Sequence, residues 1–163
     1  LSYAPAQIER LLAGVESGWD VVVGNRYHEG STTLVAAGTV RQLGGRAINL
    51  ATRAVLVGHH QDTQCGLKAF RSDVARVIFG HSHIDGFAFD VEVIHLVERY
   101  GLSLAEAEVE VVNSDRSTVH VVRDALLLLA DLARIRRNDA TGAYDPGAAE
   151  QAALGLGPLQ PGE

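Results

Sequence analysis

Asp20-Val21-Val22-Val23-Gly24, running into Asn25-Arg26-Tyr27, decides the fold. Three consecutive β-branched residues closed by a glycine read as a strand buried on both faces. A helix precedes it: Pro5 sets a start, Ile8, Leu11, Leu12 and Val15 form an apolar stripe, and Gly18 follows the end. Helices alternating with strands along the rest of the chain indicate an α/β fold. In open α/β sheets the C-terminal ends of strands present ligand groups, so Asn25, Arg26 and Tyr27 fall where a site is expected.

Downstream, residues 28–38 read as a loop with no periodicity. Residues 39–57 read as a helix with Leu43, Ala47, Leu50, Ala51 and Ala54 on one side. Its Gly44-Gly45 pair costs roughly 1 kcal/mol per glycine relative to alanine, and marks a close approach or a break. Gly58-His59-His60 is a turn, residues 64–70 a short strand or strand-like loop, and Ser72 a cap for a helix through Ile78. Residues 90–100 form an amphipathic helix closed by Gly101. Residues 104–112 alternate, with Glu106, Glu108 and Glu110 on one face and Ala105, Ala107, Val109 and Val111 on the other, as in a half-buried strand. Residues 119–137 carry the strongest helical pattern. From Asn138 the chain is rich in Gly, Ala and Pro, and residues 138–163 are expected to be a mobile tail. The domain is therefore expected over residues 1–137.

The 163 residues, 47% of them hydrophobic, suffice for one domain with a core. A formal net charge of -6 gives no global basic field for nucleic acid. The single cysteine, Cys65, excludes an intramolecular disulfide framework and fits a reducing compartment. No signal peptide is visible and no apolar run is long enough to span a bilayer, so the expected location is the cytoplasm. The opening Leu1-Ser2-Tyr3, without an initiator Met, leads us to expect a fragment of a longer protein.

Several residues are candidates for chemistry, each beside a plainer role. Arg26 is either a surface arginine or a fork for phosphate oxygens. Arg41 sits at a helix start, where the dipole disfavours a cation, which hints at an anionic partner. Arg116 and Ser117 precede a long helix, and such an N-terminus suits both an ordinary cap and a phosphate. Asp62 is a turn residue or a site acid, and Gly66 lets a backbone come close to a ligand. Lys68 and Phe70 alternate to the same side of their strand. Asp90 and Glu92 open a helix, where negative charge is stabilising in itself. The pairs His59-His60 and His81-Ser82-His83 lack helical metal-ligand spacing and read as surface loops. Cys65 has no paired base in the sequence and reads as a buried thiol. The last helix has a stripe of Val122, Leu126, Leu129 and Ala133, broadened by Leu127 and Leu128, and ends in Arg134, Arg136 and Arg137. It is either a core helix with cations suited to its C-terminus or an interfacial helix on an anionic membrane.

Taken in order, Val23-Gly24-Asn25-Arg26-Tyr27, Arg41 with Gly45 and Asn49, residues 62–70, Phe89-Asp90-Val91-Glu92, residues 106–111 and Arg116-Ser117 resemble the family 2 glycosyltransferases of the GT-A fold. The branch most resembled is that of the dolichyl- or polyprenyl-phosphate sugar transferases. Gln64-Cys65-Gly66-Leu67-Lys68 looks most like its glucosyl members, and the mannosyl members are similar. The resemblance implies a Rossmann-like domain with a mixed sheet flanked by helices, of which this chain is the C-terminal, acceptor-side portion. It implies an Asp-x-Asp motif just upstream of Leu1, holding Mg²⁺ or Mn²⁺ on the donor diphosphate, so no metal ligand is assigned within the chain. A segment without that motif is expected to be inactive alone.

The implied reaction moves a hexose from UDP-glucose or GDP-mannose to a lipid phosphate, inverting the anomeric centre. By resemblance Arg26, Arg41 and Arg116 contact phosphates with Ser117 beside them, and Gly66 and Lys68 complete the substrate-binding set. Asp62, Asp90 and Glu92 are the candidate catalytic acids, with the choice of base between Asp62 and Asp90 open. The partners are a nucleotide-sugar, a lipid phosphate and, peripherally, the inner face of a membrane; nucleic acid is not among them. Two other readings stay open: a family 2 transferase with a non-lipid acceptor, and a non-catalytic membrane-associated module.

Overall fold

The computed structural model describes residues 3–35, 52, 62, 65–86, 88–112 and 121–155. In chain order they form α1 (Ala6–Glu16), β1 (Val21–Asn25), β2 (Thr32–Val35), β3 (Lys68–Phe70), α2 (Ser72–His81), α3 (Phe89–Arg99), β4 (Leu104–Glu108), β5 (Glu110–Val112), α4 (Val121–Ala140) and α5 (Ala148–Leu154). The expected α/β class holds for these residues. β1 is central in a mixed sheet of order β3-β1-β4, antiparallel to β3 and parallel to β4, and β2 pairs in parallel with β5 in a second, two-stranded sheet.

β1 is buried along its whole length because both faces are covered. Val21 and Val23 join the main core with Val74, Val77 and Ile78 of α2, Val91, Ile94 and Leu96 of α3, and Leu128, Leu132 and Ile135 of α4. Val22 faces α1, where a Cβ added at Gly14 would come within 2.8 Å of its Cγ2. Gly24 is equally constrained: a Cβ there would lie 2.6 Å from Val109 Cγ1 and 2.8 Å from Cys65 Sγ. This glycine, one residue before the end of the strand, thus admits a small second core of Cys65, Val109 and Val111 beneath the end of β1.

The half-buried strand expected over residues 104–112 is divided. Val109 breaks it into β4 and β5, which belong to different sheets. The Ser31 hydroxyl makes the transfer, donating to Asn25 O at 2.6 Å and accepting from Val109 N at 2.9 Å. The expected loop over residues 28–38 therefore contains β2, whose partner lies far along the chain and leaves no local periodicity. Ser72 opens α2 but does not cap it; Arg71 holds the cap position, and Asp73 accepts from Val74 N at 2.9 Å. The Arg71 guanidinium bonded to Asp73 holds that carboxyl below its ordinary range. α4 faces the core through Leu128, Leu132 and Ile135, while Leu126, Leu127 and Leu129 of the expected stripe are exposed. A leucine-rich run contains two overlapping stripes, and the i, i+4, i+7 set is the one that packs.

The region expected to be mobile from residue 138 differs most. α4 continues to Ala140, α5 follows, and Tyr144 between them is completely buried. Tyr144 donates its hydroxyl to Glu92 Oε1 at 2.6 Å, and its carbonyl accepts from the Tyr100 hydroxyl at 2.8 Å. Arg99 bonds both Asp139 and Asp145. One large aromatic seated in a polar cradle outweighs the Gly/Ala/Pro composition around it. Burial pushes the Tyr144 hydroxyl above its ordinary range and the bond to Glu92 pushes it further; burial does the same to Tyr100. The folded chain therefore retains phenol protons that the unfolded chain releases near roughly pH 10. Above that pH the folded state binds more protons, so stability falls as pH rises. The tyrosine contribution should be fully present below roughly pH 9 and be lost from roughly pH 10 upward. Urea midpoints measured across that range check this, and Tyr144→Phe should make the fall shallower.

Candidate functional site

The C-terminal end of β1 gathers all but one of the candidate residues that the described chain contains. Asn25 is buried and shapes the turn: its Oδ1 accepts from Tyr27 N at 2.8 Å and its Nδ2 donates to Glu106 Oε2 at 2.6 Å. The turn points Arg26 back over Asp62. The Asp62 carboxylate, with no side-chain exposure, accepts from Arg26 Nε at 2.7 Å, Nη2 at 2.7 Å and backbone N at 3.0 Å. This fork-to-fork pair holds the guanidinium firmly charged, the Asp62 bonds outweighing the opposing effect of burial. Arg26 keeps about a third of its side chain open, 35% by area.

Beside the pair, the Tyr3 hydroxyl lies 3.3 Å from Cys65 Sγ. Burial, and then the contact with Cys65, push this hydroxyl above its ordinary range. Cys65 is the buried thiol expected from the sequence. Leu67 O accepts from Gly24 N at 2.8 Å, and Cys65 O accepts from Lys68 Nζ at 2.6 Å. Gly66 is thus the exposed apex of a turn pinned on both sides. No described atom lies within 4 Å of a Cβ built there, and its φ is not in the left-handed region. Lys68 Nζ also donates to Asp90 Oδ1 at 2.7 Å; the lysine side chain is 7% exposed and the aspartate 32%.

Two of the three candidate acids therefore meet basic partners at this site, Asp62 with Arg26 and Asp90 with Lys68. Glu92 does not join them. It is completely buried, and its oxygens accept from His83 N, Ile84 N and the Tyr144 hydroxyl. Asp90 and Glu92 are two residues apart on a helix, so their side chains leave it in opposite directions. Arg41, Arg116 and Ser117 lie outside the described residues. Tyr3 is the site residue that sequence reasoning missed, since an isolated tyrosine ahead of a helix carries no spacing signal. Among the described residues no three His, Cys, Asp or Glu side chains are grouped to hold a metal ion. No described helix is long and apolar enough to cross a membrane.

Chemically, the site offers one guanidinium with a preset orientation, one partly open carboxylate, and an open-sided glycine turn between them. No family model matches the chain, and no solved structure matches it. Its sequence is similar to a dolichyl-phosphate beta-glucosyltransferase of Dictyostelium discoideum, 32% identical over 117 residues, covering 71% of this chain and 36% of the relative. A protein of the same name from Drosophila melanogaster is 29% identical over 97 residues, 60% of this chain and 30% of the relative. One from Homo sapiens is 32% identical over 84 residues, 52% of this chain and 26% of the relative. The matched stretch thus spans between 26% and 36% of the length of these relatives.

Proposed function

We propose that this chain is the acceptor-side part of a GT-A glycosyltransferase that moves a hexose, with inversion, from a nucleotide-sugar to a polyprenyl or dolichyl phosphate. The observation that carries the reading is the Asp62-oriented Arg26 beside the Lys68–Asp90 pair, at the strand end where α/β sheets bind ligands. The names of the similar proteins favour glucose, and hence UDP-glucose, over GDP-mannose.

The chemistry asks little of a base. A phosphate monoester has a second pKa of roughly 6, so its oxygen is largely ionised near neutral pH. That oxygen forms a bond to the anomeric carbon as the bond to the nucleoside diphosphate breaks. The electron pair leaves on the diphosphate, and a single displacement from the opposite face inverts the centre. The harder task is to hold two anions together, which fixed positive charge does by position. Asp62 already accepts three hydrogen bonds from Arg26, which makes it an orienter of the guanidinium. Arg26 would present its remaining Nη1 edge to phosphate, with Arg41, Arg116 and Ser117 as further proposed contacts. Asp90, partly open, would face the sugar. A divalent cation on the donor diphosphate, Mg²⁺ or Mn²⁺, belongs to the proposal, but the described residues do not form a site for it and no step here is assigned to it. The exposed Leu126, Leu127 and Leu129 of α4 are the proposed peripheral contact with the membrane that holds the lipid.

The test uses the full-length protein with a polyprenyl phosphate and Mg²⁺, offered UDP-glucose and GDP-mannose separately. Mass spectrometry should find glycosylated lipid with UDP-glucose. Donor binding without lipid product would point to a hydroxyl acceptor, with Asp90 as its base. Absence of donor binding would favour a non-catalytic module.

A further inference from the structure

Lys68 reads, from sequence and resemblance, as a direct contact to an anionic substrate. Its surroundings argue otherwise. An ammonium group has three donors, and two are committed, to Cys65 O at 2.6 Å and to Asp90 Oδ1 at 2.7 Å. With 7% of its side chain exposed, it is close to fully enclosed. It also links three separate parts of the site: β3, where it pairs opposite Val23; the 65–67 turn; and the first turn of α3, which carries Asp90. The turn has anchors at Cys65 Sγ, Cys65 O and Leu67 O, and Gly66 between them is exposed, with no described atom within 4 Å of a Cβ built on it. Neither left-handed backbone nor any described neighbour requires glycine there.

We propose that Lys68 is a positioning residue: it binds no substrate itself but fixes the Asp90 carboxylate against the Gly66 turn, so that the two form one wall of the sugar-phosphate site. This rests on the transferase reading above. A charged tether buried behind a partly open carboxylate sets that carboxylate's direction, and displacement of a reacting or contacting group by about 1 Å can cost about a hundredfold in rate.

The experiment compares wild type, Lys68→Met, Asp90→Asn and the double variant in the full-length protein, with UDP-glucose and a polyprenyl phosphate. Lys68→Met keeps the apolar stem and removes both bonds. A positioning role predicts kcat down about a hundredfold with KM for polyprenyl phosphate within about threefold of wild type. It also predicts that the double variant falls no more than about threefold below the weaker single one, because both remove the same arrangement. A KM for polyprenyl phosphate raised about tenfold with kcat retained, or fully additive losses, would overturn it in favour of direct phosphate binding.

Hydrogen exchange supplies a readout independent of turnover. In Lys68→Met, amides of residues 65–68 and of the first turn of α3 should exchange faster while the rest of the fold stays protected. Unchanged exchange there would overturn the proposal. Should wild type transfer no sugar at all, the transferase reading fails while exchange still decides the role of Lys68. If Lys68→Met does not fold, Lys68→Gln, which can still donate to Cys65 O but cannot pair as a charge with Asp90, takes its place in both measurements.

Discussion

Arg26→Ala is expected to lower stability by about 3–5 kcal/mol, the range for breaking a buried pair from one side. The reason lies in what stays behind. Asp62 has no side-chain exposure, and among the described residues Arg26 supplies three hydrogen bonds to it, one from backbone and two from the guanidinium. Among the described donors, truncation leaves the interior carboxylate only the Arg26 backbone N. The reverse change, Asp62→Ala, should cost less, because Arg26 is 35% exposed and can turn to water. Arg26→Lys should recover only part of the loss, since an ammonium cannot make the paired Nε and Nη2 contacts. Denaturant midpoints with unchanged slopes are the measurement. A loss below about 1 kcal/mol for Arg26→Ala would mean that the pair behaves like a surface ion pair and that the buried-clamp account is wrong.

Glu92→Ala should cost a similar amount, about 3–5 kcal/mol, for a different reason. Here the groups left behind are donors: His83 N, Ile84 N and the Tyr144 hydroxyl all lose their acceptor. Glu92→Gln keeps one oxygen but turns an NH₂ toward those donors, and should cost about 1–3 kcal/mol. Tyr144→Phe removes one donor and leaves the ring in place, for about 1–2 kcal/mol. The three losses should not add, because they act on one network. Transfer activity separates this structural role from a catalytic one: folded Glu92→Gln should keep kcat within about tenfold of wild type, whereas loss of an acid or base contributes about 100- to 10,000-fold.

Where local pattern and tertiary burial agree, the sequence was a sufficient guide. The Val21-Val22-Val23 run is central because nothing but enclosure on both faces suits three β-branched residues in a row. Gly101, with φ +62°, stops α3 where a glycine was expected to. Long-range partners were not legible. β2 is a four-residue strand with two threonines, and only its pairing with β5 makes it one. Glu92 looked like one of two acids favouring a helix start, and nothing local distinguishes the buried one from the open one. A signal did exist for Tyr144: it is the only aromatic residue after Tyr100, and a lone large ring in a Gly/Ala/Pro stretch is a candidate anchor. The Arg26–Asp62 pairing could be suspected from the types of residue, but its buried geometry needs the fold.

The placement of β1 at the centre of its sheet also governs how the chain reaches this state. Its neighbours are made late: the start of β1 is tied to the start of β4 through Asp20 and Ser103, 83 residues apart, and Arg26 to Asp62 across 36. Until β4 has been synthesised, one edge of a strand rich in valine has no partner. High contact order of this kind slows folding and prolongs the interval in which an apolar edge can pair with another chain. Refolding yield should therefore rise as protein concentration is lowered, through a kinetic competition set at β1 and unrelated to the final stability of the domain.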